Sequence, residues 1–401
     1  MPLVLSAGWI EWEIATIENK LRAAGLPVSR QELNDYHTRP DQSDESARVW
    51  RALDLRWEAA SAQLTREDSQ LLWKPWEIPD YGQRWDNLAQ VDSILSRLRP
   101  VLTAYEDQLD QPGQSWDQHS GQGHRDLYRA FLCELRVAIH RDELDRAFRA
   151  MKSLLELVNA ERGCAEALSM LGWLAYVDGI RGELELALPC VTWTDTQLQK
   201  IQERLCAINL HDEMRFSQAG CVIEDGEHIS EQAIWMFRRT NRLQMLRYFE
   251  AAQSLGALPW PQMQSELSKI SAPIEARKLA PRWYDFSQKV FIEGFFSQKQ
   301  LAEAISHQVL NLILMDAGLA IYRHQLRHGQ LPQSWDEIDK DLIMDFPDHM
   351  SLLHDPRDGL PMQFIIEKDQ VRLTPGTKAN FQYVPEFRIE RVGAKQSGLP
   401  R

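Results

Sequence analysis

Residues 311–338, NLILMDAGLAIYRHQLRHGQLPQSWDEI, and 354–376, HDPRDGLPMQFIIEKDQVRLTPG, decide the fold class. In the first segment Leu312, Met315, Leu319, Tyr322 and Leu326 fall at steps of three and four, which predicts a helix with one apolar stripe. Leu301, Ile305 and Gln308 carry that phase back two more turns. The helix should stop at Gly329, which takes a left-handed conformation at no steric cost. Arg327 and His328 would then lie in the last turn, opposite the exposed carbonyls. Pro332 biases Leu331 away from helical angles. Ser334 with Glu337 has the spacing of a capping box, predicting a short helix through Ile338.

The second segment opens on Asp355-Pro356-Arg357-Asp358-Gly359, the composition of a tight turn. Met362, Phe364 and Ile366 then alternate with Gln363, Ile365 and Glu367, so a strand with one buried face is expected. Lys368-Asp369 reads as a turn, and Val371 and Leu373 would line the same face of a returning strand. Phe381–Val384 and Phe387–Ile389 are candidates for one more strand. A lone hairpin is marginal in water, so its apolar face should pack on the preceding helix.

This order of helix, loop and small sheet resembles the C-terminal half of type II secretion pseudopilins. The matching positions are Tyr322, Gly329, Pro332, Asp355-Pro356, Gly359, Pro361 and Phe364, within about a sixth of the 401-residue chain. The resemblance implies a shape and an assembly role. It does not extend to the family's calcium loop, because the corresponding Gly376-Thr377-Lys378 is not acidic. Nor does it extend to a membrane-spanning helix, because this one carries Glu303, His307 and Asp316. The same C-terminal signature, together with Ile17–Leu33 and the helical middle around Asp142–Gly163, is similar to an uncharacterised family of large bacterial envelope-type proteins. In these an N-terminal anchor leads into a helical region. Under that resemblance the opening PLVLSAGW is the tail of a membrane span and the location is the cell envelope, whereas a true start at Met1 implies a cytoplasmic protein. Pro2–Ala7 is too short and too uncharged for a signal peptide.

Upstream, the apolar spacing is helical almost throughout. Ile10, Ile14, Ile17 and Leu21 form a stripe ended by Gly25 and Pro27, and Ser29 with Glu32 opens a second helix. After a loop at Pro40–Asp44, a third helix should run from Glu45 through Trp50, Leu53 and Trp57 to Leu64. Trp73–Tyr81 reads as an irregular connector and Leu88–Leu102 as helix. The polar break Asp110–Gly123 is the best domain boundary. From His124 to Leu188 one helix follows another, with a turn near Asp142 and punctuation at Gly163. Thr194 should cap the helix holding Leu198, Ile201 and Leu205. Leu171–Tyr176 has the leucine–glycine pair of a tetratricopeptide repeat, but the tyrosine is misplaced and no 34-residue recurrence follows. Glu231–Ser254 and Gln262–Ile270 read as helices, and Ala280–Trp283 breaks the pattern before the long helix. The expected organisation is a mainly α protein, an irregular helical bundle or stack with a C-terminal helix-plus-β-hairpin module. It divides into residues 1–110, 124–297 and 298–390, with a disordered tail at 391–401.

Composition narrows the function classes. The net charge of −13 argues against nucleic acid as the main partner, since phosphate binding needs clustered cations. The fourteen tryptophans read as anchors of a helical core. Cys133, Cys164, Cys190, Cys206 and Cys221 are odd in number with no C-x-x-C pair, indicating buried thiols and no zinc or disulfide framework.

The chain has no phosphate-cradling glycine loop, no G-x-S-x-G elbow and no H-E-x-x-H helix. His324 and His328, one helical turn apart, are the best metal pair, with His307 further back, but no third ligand is evident and an exposed helix end is the preferred reading. His211-Asp212-Glu213 and Glu224-Asp225-Gly226-Glu227-His228 have the chemistry of metal or cation sites without the spacing of one. Asp355 and Asp358 read as turn formers. Arg238, Arg239, Arg242 and Arg247 read as a solvated helix face, with an acidic partner as the sharper alternative. No residue is thus assigned to catalysis, cofactor or metal. The expectation is a non-catalytic helical interaction or scaffold protein of the bacterial cell envelope, with protein partners. Its competitors are a hydrolase-like enzyme using His211, Asp212 and Glu224, or a component of a secretion or pilus-like assembly.

Overall fold

Helix signals dominate the chain, and a computed structural model shows, among the described residues, 11 helices and a small three-strand antiparallel sheet near the C-terminus, with 74% of these residues helical. It describes residues 2–37, 44–73, 78–79, 81, 83–111, 121–160, 167–210, 213, 217, 220, 223, 235–254, 262, 265–266, 269, 286–344, 354–355, 359–367, 370–375 and 387–390. Residues 74–77 and 80 of the connector expected at Trp73–Tyr81, the punctuation at Gly163, the break at Ala280–Trp283, the turn at Lys368-Asp369, the strand at Phe381–Val384 and the tail at 391–401 lie outside the described residues, as does most of Gln262–Ile270.

The helices are α1 (Pro2–Ala23), α2 (Arg30–His37), α3 (Asp44–Ser61), α4 (Arg66–Trp73), α5 (Leu88–Leu109), α6 (Gly121–His140), α7 (Leu144–Ala160), α8 (Ala167–Ala187), α9 (Asp195–Cys206), α10 (Trp235–Ser254) and α11 (Phe286–His328). Their ends follow backbone chemistry. Gly25 at φ 74° closes α1, with Leu26 N–H donating to Leu21 O and Gly25 N–H to Arg22 O. Asp142 does the same for α6 at φ 57°, as short polar side chains tolerate. Thr194 caps α9 through a complete capping box with Gln197.

Two features depart from the sequence reading. Helix α4 is additional, opened by a reciprocal pair in which Thr65 Oγ1 accepts from Asp68 N–H and Asp68 Oδ2 accepts from Thr65 N–H, both at 3.1 Å. Helix α5 runs past Leu102 to Leu109 with Pro100 inside it. Burial of Val101, Leu102, Tyr105 and Leu109 outweighs the proline's missing donor, whose defect is about 3 kcal/mol.

One cluster of buried side chains runs from Trp50 through α5–α9 and α11 to Ile389 in the sheet. Helix α11 is its axis, packed against α8, α9, α10 and the last strand. The single stripe expected on α11 is corrected: Val309, Leu310, Leu312, Ile313, Leu314, Met315, Ala317 and Leu319 through Tyr322 are all buried, so the helix is enclosed on every side over residues 308–325. Ala304–His328 is apolar and long enough to span a bilayer by length and composition, and it lies inside the protein.

The sheet has order β1 (Gln363–Glu367), β2 (Gln370–Thr374), β3 (Phe387–Glu390), antiparallel throughout. Phe364 pairs with Leu373 and Ile366 with Val371, while Val371 and Leu373 pair with Ile389 and Phe387. Directly paired residues share a face, so the apolar face anticipated from the alternation is the one formed. Its edge end is open, since Ile366 is 40% exposed.

Candidate functional site

The helix terminator that the sequence announces also builds a polar cluster. Gly329, at φ 73°, ends α11 by donating its N–H to Gln325 O at 2.8 Å. His324 and His328 therefore sit in the last two turns on one side, with ring centroids 4.3 Å apart. His324 is buried and its Nδ1 has no hydrogen-bond partner, whereas His328 is exposed.

The chain then turns back. The capping box expected at Ser334 does not close: its side chain makes no cap bond, and Glu337 accepts instead from Gln333 N–H at 2.7 Å. What forms is a 3-10 turn, Trp335–Glu337, followed by another at Lys340–Leu342. Ile338 and Leu342 are buried, and Leu342 O accepts from the Nε2 of buried Gln202 at 2.7 Å. Between these anchors Asp339 faces the helix end, its Oδ2 3.0 Å from His328 Nε2.

Asp339 is thus the third group that the sequence did not nominate. One donor atom from each of His324, His328 and Asp339 lies within 4.8 Å of the others. The hydrogen bond from His328 holds the Asp339 carboxyl below its usual range. Burial, then the neighbouring His328, lowers His324, favouring the neutral imidazole that can ligate. His307 stands apart, 17 residues and thus roughly 25 Å back along the helix.

Beside this cluster a polar network, buried at Arg323 and Gln202 and open at Arg327 and Asp341, ties α11 to α9. Arg323 Nε donates to Asp195 Oδ1 at 2.6 Å and its Nη1 to Gln202 Oε1 at 2.7 Å. Arg327 bridges Asp195 and Asp341, with Nη1 2.7 Å from the Asp341 carboxylate. Burial alone would raise Asp195, but the two arginines outweigh it and keep the carboxyl below the usual range. Deeper in, Asp316 is fully buried, accepting from Gln202 Nε2 and the Met344 backbone N–H, with Cys206 Sγ 3.9 Å away. Its Oδ2 has no hydrogen-bond partner. Burial pushes its pKa up to about 7, against these hydrogen bonds. The sequence signal was a carboxylate in an apolar run, seven residues before Arg323 and therefore on its face of the helix.

The other sequence candidates are dispersed. His211, Asp212, Glu224–His228 and Asp358 lie outside the described residues, as do Cys164 and Cys221. Glu213 is buried. Asp355 is a buried turn former, its carbonyl accepting from Gly359 N–H and its N–H donating to Leu360 O, each at 2.7 Å. Cys133, Cys190 and Cys206 are not in disulfides, and burial pushes Cys133 up to about 12.

The arginine run is corrected in part. Arg239, Arg242 and Arg247 do not form a bare solvated face: they pair with Glu11, Glu18 and Glu13 of α1, and Lys20 pairs with Glu250 at 2.8 Å. The side chain of Arg238 lies outside the described residues. These pairs flank a second hydrophobic cluster, in which Ile14, Ile17, Leu21, Leu26 and Val28 pack on Leu243, Met245, Leu246 and Phe249. On the open side of α1, Trp9 and Trp12 remain 52% and 66% exposed, with the Arg247 guanidinium 5.6 Å from the centre of the Trp9 ring.

Comparisons of the chain with known protein families, with curated proteins and with solved structures find no match.

Proposed function

We propose that the protein is a non-catalytic α-helical interaction protein of the bacterial cell envelope, and that the α1–α10 layer is its docking face. The carrying observation is the exposed Trp9–Trp12 pair on a helix whose other side is already packed. Single exposed apolar residues are ordinary, but two tryptophans three residues apart share one face. Tryptophan is the side chain that most often anchors protein interfaces. The flanking arginines are matched by carboxylates of the same protein, so the face offers little net charge. That favours an apolar protein surface as partner over an anionic lipid surface. The envelope placement rests on the resemblance of Ile17–Leu33 and the helical middle to envelope-type proteins.

A photo-crosslinking residue at position 12, activated in living cells, should give one discrete protein adduct in the envelope fraction. Trp9→Ala should abolish it, and a probe at exposed Gln199 should not give it. The same adduct from both positions, or none from position 12, would overturn the docking face. An adduct confined to the soluble fraction would overturn the envelope placement alone.

A further inference from the structure

We propose that His324, His328 and Asp339 bind a divalent transition metal ion of the zinc class. The donor set is two imidazoles and one carboxylate, each contributing one atom, mutually within 4.8 Å. Imidazole-rich sites suit zinc, nickel, copper and iron(II), whereas calcium and magnesium favour oxygen donors, of which this cluster has one residue. Three protein ligands leave one position of a tetrahedron for water or a partner's side chain. Zinc–nitrogen bonds of about 2.0 Å put tetrahedral donors about 3.3 Å apart; His328 Nε2 and Asp339 Oδ2 are already 3.0 Å apart, and the His324 nitrogen has at most about 1.5 Å to close. His328 and Asp339 are on the solvent side of the cluster, where rotamer changes meet little resistance.

A second observation points the same way. His324 is buried with Nδ1 unpartnered, and a polar atom in that state ordinarily costs about 1–3 kcal/mol. The same three residues could serve as a simple helix cap through the His328–Asp339 bond, but that bond uses neither nitrogen of His324. Both backbone supports are anchored in the core: α11 through its enclosed residues 308–325, and the loop through buried Ile338 and Leu342. Arg327, 3.8 Å from Asp339 Oδ2, is drawn toward Asp195 and Asp341 and away from the open position.

The full chain, stripped with a chelator, is titrated with zinc(II) by calorimetry and with cobalt(II) by visible absorption. The expected result is one equivalent bound and a cobalt spectrum of tetrahedral intensity. His328→Ala and Asp339→Asn should each weaken binding by more than about 100-fold, because losing even an outer-shell partner costs 10- to 100-fold. His307→Ala should leave it unchanged. Since His324 is buried, its own substitution risks unfolding. Exposed His328 and half-buried Asp339 therefore carry the test, with circular dichroism confirming the fold of both variants. Absence of binding by the stripped wild-type chain overturns the proposal, as does unchanged affinity in folded His328→Ala and Asp339→Asn.

Discussion

The ring of Phe387 lies directly over Gly318, so close that a Cβ at that glycine would stand 2.3 Å from the ring's Cε1 and 2.7 Å from Cδ1. Strand β3 reaches the core helix through this approach, and no side chain larger than hydrogen fits beneath it. Gly318→Ala should therefore destabilise the protein by about 1–3 kcal/mol, the usual range for overpacking, despite a helix-propensity gain of roughly 1 kcal/mol. In a urea double-mutant cycle, Phe387→Leu should relieve part of that loss. Strictly additive effects would mean that the two residues do not meet.

Asp316 makes stability depend on pH in an unusual direction. Its pKa is raised to about 7 in the folded chain, against an ordinary value of 3.8. Between these values the folded state keeps a proton that the unfolded state has released, so stability falls as pH rises from about 4 to 7 and then levels. Asp316→Asn should flatten this segment of the curve and raise stability at pH 8, by up to a few kcal/mol at about 1.4 kcal/mol per unit. Denaturation midpoints across pH 4–8 check it. An unchanged slope in the variant would assign the dependence to other groups.

Glu134, nearly fully buried, accepts from Arg146 Nε at 2.6 Å and Nη2 at 2.9 Å, and also pairs with Arg99. Removing it leaves two guanidiniums without their shared carboxylate. Arg146 keeps Asp92 and Glu143, and Arg99 keeps Glu106, so Glu134→Ala should lose about 2–3 kcal/mol in guanidinium unfolding. Lys20→Ala, which breaks a largely solvated pair with Glu250, should lose less than about 1 kcal/mol. Equal losses would contradict the burial argument.

The Thr194–Gln197 box satisfies two backbone N–H groups at the start of α9, with bonds of 3.2 and 3.1 Å. Thr194→Ala should lower stability by about 1 kcal/mol, and Thr194→Ser should recover most of it. Thermal unfolding of the three proteins decides. Equal midpoints would show that water replaces the cap.

The sequence was most legible where one turn of backbone decides the outcome. Gly329 ends α11, Asp142 marks the α6–α7 turn, and Thr194 opens α9, each for a reason contained within about five residues. Period-two alternation likewise placed Phe364, Val371 and Leu373 on one face, because the pleat offers only two. The candidate site was half legible. His324 and His328 were visible through their helical spacing, while Asp339 was not, because the chain returns to them through two 3-10 turns rather than the helix expected from Ser334.

By itself, then, the sequence determined a mainly helical chain ending in a helix and a small antiparallel sheet, because capping, glycine conformation and side-chain period act over a few residues. Tertiary structure alone decided which surfaces meet. It enclosed residues 308–325 of α11 on every side, joined Gln202 to Asp316, and gave Arg239, Arg242 and Arg247 the carboxylates of α1. Those pairings link groups more than a hundred residues apart. Local propensity does not encode them, and they exist because burying the apolar faces of α1, α9 and α11 brings their polar neighbours together.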